Sequence, residues 1–222
     1  MQLDTGDPNA KLELWTERHG YMRDDMIEYD SMRCRVGFFM AAEKFFSLWL
    51  MPTRDAYHTL ANLIFDLSKE YSSPRFAPHV TLLGELHGSE EEIKSRTSRL
   101  SANLKPYAID LTRIEYLDEY SRSLFIRVEE TEQVMQTNLR ARSIFDRQRD
   151  PKYMPHLSIL YGNFASTTKD EVIEKIGREF RLSFEVKSLH LVETSTRPEN
   201  WFTAKEFPFE SNPRSGRVLS VM

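Results

Sequence analysis

Ten residues, Pro74-Arg75-Phe76-Ala77-Pro78-His79-Val80-Thr81-Leu82-Leu83, return further along the chain as Pro151-Lys152-Tyr153-Met154-Pro155-His156-Leu157-Ser158-Ile159-Leu160. Nine of the ten paired positions are identical or chemically equivalent, all at an offset of 77 residues. In each copy a histidine is followed two positions later by a small hydroxyl residue, with apolar residues between and after. In an extended strand, residues i and i+2 share a face. His79 therefore stands beside Thr81 and His156 beside Ser158, while Val80, Leu82, Leu157 and Ile159 turn the other way. Two such ledges, brought together, offer two imidazoles and two hydroxyls. This is the expected active site.

The surroundings of the two motifs repeat with them. Phe46-Ser47-Leu48-Trp49-Leu50 reads as a buried strand stopped by Pro52. Tyr57, Leu60, Ala61, Ile64, Phe65, Ser68 and Tyr71 then fall on one helical face. The first motif strand follows, and Ser89-Glu90-Glu91-Glu92 is a capping box opening a helix through Ile93, Leu100 and Leu104. A strand is expected from Tyr107 to Leu117. After a polar turn at 118–122 the order returns: a strand at Leu124-Phe125-Ile126, a helix from Thr131 to about Arg147, and the second motif strand. A helix opening at Thr168-Lys169-Asp170-Glu171 and a strand from Ser183 to Glu193 complete the second unit. Adding 77 to Leu48, Tyr107 and Ile109 lands on Phe125, Phe184 and Val186. Only two copies exist and each is long, so the pattern is a duplication forming two facing lobes rather than a solenoid. The expected divisions are an N-terminal extension over 1–44, a two-lobed domain over 45–210, and a C-terminal tail over 211–222. Within the domain, lobe A spans about 45–117 and lobe B about 123–193, with a return strand at about 201–208. In the extension, Met22, Met26 and Tyr29 could share one helical face.

Of 222 residues, 40 % are apolar and 29 % charged, which places the chain with ordinary globular proteins and gives it length enough for a proper core. A net charge of −4 supplies no broad basic field for a long polyanion, but leaves room for a pocket gripping one or two phosphates. The single cysteine, Cys34, excludes an internal disulfide and a cysteine zinc site and suits a reducing compartment. No segment reads as a membrane span, signal peptide or presequence. Cytoplasm or nucleus is the expected location, with no membrane partner.

A lone His-x-Ser/Thr means little, and the chain carries its own control. His87-Gly88-Ser89 also fits, but it opens a helix and lacks the proline and apolar context, so its reading is structural capping. For the repeated pair three other readings stand beside catalysis: two core histidines with satisfied hydrogen bonds, two zinc ligands, or a Ser-His nucleophile. A third zinc ligand is placed by neither motif, and no Gly-x-Ser-x-Gly elbow is present. Two imidazoles can serve as general base and general acid near neutral pH. Phosphodiester hydrolysis needs that pair, one to activate water and one to protonate the leaving oxygen. Thr81 and Ser158 would then donate hydrogen bonds to the non-bridging oxygens. No cofactor and no metal are called for.

In Pro74–Thr81, in Tyr153-Met154-Pro155-His156-Leu157-Ser158-Ile159-Leu160-Tyr161, and in Trp201 and Thr203, the chain resembles the two-histidine (2H) phosphoesterases. Within them it is most similar to the plant and fungal cyclic phosphodiesterases. The resemblance covers roughly Phe45 to Phe209. It implies an α+β, bilobal fold with two antiparallel sheets facing a central cleft, and a metal-independent hydrolase. The implied substrates are ADP-ribose 1″,2″-cyclic phosphate, a by-product of tRNA splicing, and nucleoside 2′,3′-cyclic phosphates. The family's catalytic pairs carry over onto His79/Thr81 and His156/Ser158, and its site tyrosine onto Tyr161. Strict alternation puts Tyr161 opposite His156, so the strand must end or bulge there. Trp201 is a candidate stacking platform, and Arg75 and Lys152 are candidate contacts for a substrate diphosphate. The expected partner is thus a small cyclic-phosphate nucleotide, taken as substrate, and the protein is expected to be a monomer. The alternatives are an RNA-end phosphodiesterase acting on RNA 3′ ends, and a non-catalytic nucleotide-binding module.

Overall fold

The expected alternation of strand and helix is realised in the computed structural model, which describes residues 44–210. Strand β1 is Phe46–Leu50, followed by helix α1, Arg54–Glu70, and strand β2, Val80–Leu86. Helix α2 runs Glu90–Ser101, β3 Tyr107–Glu115, β4 Leu124–Val128 and α3 Glu132–Ile144. Then come β5, His156–Leu160; α4, Ser166–Ile176; β6, Glu179–Val186; β7, Ser188–Glu193; and β8, Phe202–Pro208. The cap at Ser89 forms as its sequence implies, its hydroxyl accepting from the Glu92 amide at 3.3 Å. Thr131 caps α3 in the same way through the Val134 amide. Helix α4 starts two residues earlier than its sequence suggests, after Ala165, with no side-chain cap. No helix among the described residues is long and apolar enough to cross a membrane. The expected extension (apart from Lys44) with its Met22, Met26 and Tyr29 face, and the tail over 211–222, lie outside the described residues.

The fold is α+β and antiparallel in every pairing. The two antiparallel sheets expected are the four-stranded halves β6-β3-β4-β5 and β2-β1-β7-β8, joined edge to edge into one eight-stranded order, β6-β3-β4-β5-β2-β1-β7-β8. Its centre is the β5–β2 contact, made through a single pair, Val80 with Leu157. These residues are themselves related by the 77-residue offset, so the pseudo-two-fold of the duplication passes between them. Both are fully buried. On either side the order mirrors itself: β4 matches β1, β3 matches β7, and β6 matches β8.

That mirror corrects the contiguous lobes expected over 45–117 and 123–193. Strand β3, from the first unit, pairs with β4 of the second, and β7 pairs with β1 of the first. The reason is proximity along the chain: only a short turn with a 3₁₀ segment at Tyr120–Arg122 separates β3 from β4, and consecutive strands pair most readily. The expected strand over Ser183–Glu193 is accordingly two strands. The chain leaves β3 and joins β1 at Lys187, whose carbonyl is tied by the Phe209 amide at 2.8 Å. The helices cross as well, with α1 packed on β5 and α3 on β2. The halves are interleaved.

The first strands are also in a different register from the constant offset. Trp49 pairs with Thr81 and Phe125 with Ser158, so Trp49, not Leu48, is the counterpart of Phe125. A one-residue slip exchanges the faces of a strand. Leu48 belongs to the fully buried core; Trp49 stands on the face of the motif residues.

The turn between β3 and β4 is held by a lysine with 2 % exposure. From α4, Lys169 Nζ donates to the Leu117 carbonyl at 2.9 Å, pairs with Asp118 at 2.7 Å, and lies 5.1 Å from the Tyr116 ring. Lys169→Met keeps the apolar stem and removes these bonds. It should lower unfolding free energy by about 1.5–3 kcal/mol, the usual worth of hydrogen bonds to charged groups, in urea titration. Lys175→Met, which breaks an exposed pair with Glu70, should leave the midpoint unchanged.

Candidate active site

Each motif histidine follows a proline and is bonded to the residue before it. His79 Nδ1 donates to the Ala77 carbonyl at 2.7 Å, and His156 Nδ1 to the Met154 carbonyl at 2.9 Å. A carbonyl only accepts, so both rings carry their proton on Nδ1. In the neutral ring this leaves Nε2 as an unprotonated acceptor. The identical Pro-His step sets both rings alike, since Pro78 and Pro155 fix the backbone angle between carbonyl and ring. One residue either side of Val80–Leu157, antiparallel pairing sets His79 across from Ser158 and Thr81 across from His156. The four motif residues converge at the sheet centre, as their sequence implies.

Burial separates the two imidazoles. His79 is buried beneath Trp49, whose ring stacks on it at 3.5 Å and 9°, with Trp201 at 6.3 Å and Phe76 at 6.1 Å. Loss of solvent lowers its pKa to about 4, against the Ala77 bond that raises it, and the nearby charge of His156 lowers it further. His156 is also held below the usual histidine value, again first by burial. Its remaining neighbours oppose one another: Arg122 and Arg127 disfavour its charge, while Glu119 and the Met154 carbonyl favour it. Phe125 meets its ring edge-on at 5.3 Å.

The hydroxyls differ too. Ser158 Oγ donates to the carbonyl of Ser121, in the 3₁₀ turn, at 2.7 Å. The Thr81 hydroxyl has no hydrogen-bond partner among the described residues and is half-buried on the cleft face. Strand β5 ends at Leu160, as the placement of Tyr161 requires. The Tyr161 ring stacks on Phe76 at 4.0 Å and lies 6.2 Å from Trp201; burial raises its phenol pKa while its bond to Ser158 lowers it. Gly162 follows at φ +145°, and a side chain there would strike Phe164 within 2.4 Å. Trp201 donates from Nε1 to the Thr196 carbonyl at 2.8 Å, which fixes its ring 5.7 Å from Trp49.

Other sequence candidates stand apart. Arg75 is exposed with its guanidinium 5.0 Å over Phe65 of α1, and Lys152, 82 % exposed, pairs with Glu130 at 3.6 Å. His87 lies beside Phe45 at the rim of the sheet. Trp49, Phe125 and Arg127 were not singled out in the sequence. The first two could have been found by aligning the opening strands at 76 residues rather than 77. Among the described residues no three His, Cys, Asp or Glu side chains are grouped to hold a metal ion.

Residues 59–198 match a family model described as the 2′-5′ RNA ligase superfamily. Over 165 residues the chain is 27 % identical to a cyclic phosphodiesterase of Arabidopsis thaliana, covering 71 % of this chain and 91 % of that one. Among solved structures, E. coli LigT complexed with 3′-AMP aligns with a TM-score of 0.58 at 16 % identity, over 76 % of this chain and 99 % of LigT. A Thermus thermophilus protein aligns at 0.56 and 15 %, over 74 % of this chain and 97 % of its own. At these identities the structures speak to the fold.

The depressed pKa of His79 has a consequence for stability. Unfolded, the ring titrates near 6.5; folded, near 4. The unfolded chain thus binds the extra proton between those values, so the stabilisation is present above pH 6.5 and is lost as pH falls toward 4. Two and a half units correspond to about 3 kcal/mol. Urea unfolding from pH 7.5 to 4 should show that much less loss in His79→Gln than in the wild-type protein. Parallel curves would place His79 in water.

Proposed function

This chain belongs to the 2′-5′ RNA ligase superfamily, the two-histidine phosphoesterases, and from that premise we propose that it is a cyclic phosphodiesterase. Its proposed substrates are ADP-ribose 1″,2″-cyclic phosphate and nucleoside 2′,3′-cyclic phosphates. The observation that carries this reading is the pair of imidazoles fixed by the carbonyls of Ala77 and Met154, each with Nε2 left for proton transfer, across Val80–Leu157. The likeness to the Arabidopsis cyclic phosphodiesterase supports the same class.

One histidine takes a proton from water as its oxygen attacks phosphorus. The other gives a proton to the ribose oxygen as the P–O bond breaks, and the product is a phosphomonoester. Thr81, with its hydroxyl open, donates to a non-bridging oxygen; Ser158 can do so only by leaving the Ser121 carbonyl. The deeper ring, His79, favours its neutral form and serves as base. His156, with Glu119 near it, carries the proton and serves as acid. Protein residues supply both proton transfers, so the proposed reaction is metal-independent.

Purified protein in EDTA should turn over ADP-ribose 1″,2″-cyclic phosphate or 2′,3′-cyclic AMP in preference to a cyclic-phosphate-ended oligonucleotide. Activity lost in chelator and restored by zinc or manganese would move the site to metal-assisted hydrolysis; preference for the oligonucleotide would make it an RNA-end enzyme.

His79→Ala and His156→Ala should each cost on the order of 10²–10⁴ in kcat, with the double variant far from multiplicative. A nucleoside 3′-(4-nitrophenyl) phosphodiester separates their roles, because its leaving group needs no proton. Its own 2′-hydroxyl attacks in place of water, the reverse of ring opening, so the histidine that protonates the ribose oxygen in hydrolysis becomes the base here. On that substrate His79→Ala should recover and His156→Ala should not. The reverse pattern would exchange acid and base.

A further inference from the structure

The pseudo-two-fold allows the halves of the site to be compared position by position. Since Leu50 pairs with Val80 and Ile126 with Leu157, these two residues are counterparts. The next residues are Met51 on one side and Arg127 on the other. Across Trp49 on β7 stands His190, and across Phe125 on β3 stands Glu115. The chemistry of the two half-sites is therefore unequal. Beside His79 lie Trp49, Trp201, Phe76 and a methionine position; beside His156 lie Phe125 and a charged group of Arg122, Arg127 and Glu119.

Arg127 is the register partner of His156. Directly opposed residues of antiparallel strands share a face, while Ile126 and Val128 point into the core. Its ion pairs are loose: 3.6 Å to Glu115 and 3.7 Å to Glu130, neither a hydrogen bond. By contrast Arg122 is bound to Glu119 by two donors, and Arg147 to Asp150 at 2.8 Å. The carboxylates near Arg127 are also shared, Glu115 with Arg113 at 2.5 Å and Glu130 with Lys152 at 3.6 Å. Three cations alternate with two carboxylates, with Arg127 in the middle and its donors uncommitted. A planar guanidinium left in that state is suited to a phosphate.

We propose that Arg127 is a specificity-determining residue that binds a second phosphate of the substrate, carried on the 5′ oxygen of the ribose whose cyclic phosphate is attacked. The proposal rests on the cyclic phosphodiesterase reading and deepens it. It transfers the diphosphate contact from Arg75 and Lys152, which face away or into solvent, to a residue beside the catalytic histidine. A terminal 5′-phosphate, a diphosphate and an internucleotide phosphate share this chemistry. The aromatic half, around Trp49 and Trp201, is left for the apolar part of the ligand.

The test compares adenosine 2′,3′-cyclic phosphate with its 5′-phosphorylated form, in wild type, Arg127→Met and Arg127→Lys. Arg127→Met installs the residue of the mirror position. The ratio of kcat/KM for the phosphorylated over the unphosphorylated substrate should fall about tenfold in Arg127→Met, chiefly through KM, the scale of one charge-assisted contact. Arg127→Lys should recover part of it. An unchanged ratio overturns the proposal, as does an equal fall for both substrates, which would place Arg127 at the reacting phosphate. Calorimetric binding of inorganic pyrophosphate gives a readout independent of turnover, with thermal unfolding confirming that each variant is folded. Affinity should drop about tenfold in Arg127→Met; equal affinity overturns the site even if turnover is intact. If the wild type cleaves neither substrate yet binds pyrophosphate through Arg127, the cyclic phosphodiesterase reading fails and the phosphate site stands. An ADP-ribose 1″,2″-cyclic phosphate arm distinguishes a diphosphate from a terminal 5′-phosphate as the preferred form.

Discussion

A single residue pair, Val80 with Leu157, joins the two halves of the sheet. Everything chemical in the molecule depends on how weakly and how centrally that joint is made. Were β2 and β5 paired along their length, His79 and His156 would lie flat in a continuous ladder. With one pair, the strands meet at the two-fold and then part, and the motif residues lie on either side of that joint. Such a joint cannot hold two lobes by hydrogen bonds. The interleaving does so instead: β3 and β7 exchange halves, α1 and α3 pack across, and the apolar core is continuous under the joint. The duplication therefore yields two interleaved halves on one apolar core.

Much of this was legible because the repeat is a strong signal and the helices carry clear punctuation. The motif strands, the Ser89 cap, the helix after Thr131 and the convergence of four side chains could be read from the residues. The partition into lobes could not. Periodicity fixes which residues share a face, but it does not say which neighbour a strand chooses, and here a short turn outweighed the boundary of the repeat. The strand over Ser183–Glu193 looked continuous because no Pro or Gly interrupts it, but its apolar alternation changes phase, from Phe184 and Val186 to Leu189 and Leu191, across Lys187-Ser188, where the chain changes partners. Trp49 was hidden by a one-residue difference in the opening strands, invisible to a search at a constant offset. The conflict between Tyr161 and strict alternation was visible, and the end of β5 at Leu160 resolves it.

Symmetry in the backbone coexists with asymmetry in every side chain around the histidines. Ser158 is tethered to Ser121 in a turn that Lys169 anchors from behind, whereas Thr81 is untethered. A phosphodiester displacement is itself nearly symmetric in its attacking and leaving oxygens, so the duplicated frame suits it. The direction of reaction and the orientation of the ligand must come from the unequal neighbours. These are aromatic on one side and charged on the other.

The balance at His79 can be decided by magnitude. A ring stacked on indole might be thought to favour imidazolium, since a cation over Trp is worth about 2 kcal/mol when desolvated. The depression of its pKa to about 4 corresponds to about 3 kcal/mol in the opposite sense. Burial wins, and His79 is held neutral. A bound phosphate alters the sum. One negative charge about 4 Å away, at an effective dielectric of about 20, contributes about 4 kcal/mol, or roughly three pKa units. That is enough to restore an imidazolium near neutral pH, and in the proposed mechanism this is His156, whose charge Glu119 favours. On the proposed mechanism, the proton needed by the leaving oxygen is recruited by the substrate's own charge. The same desolvation that disfavours charge on the imidazoles is what makes a phosphate's field strong enough to restore it.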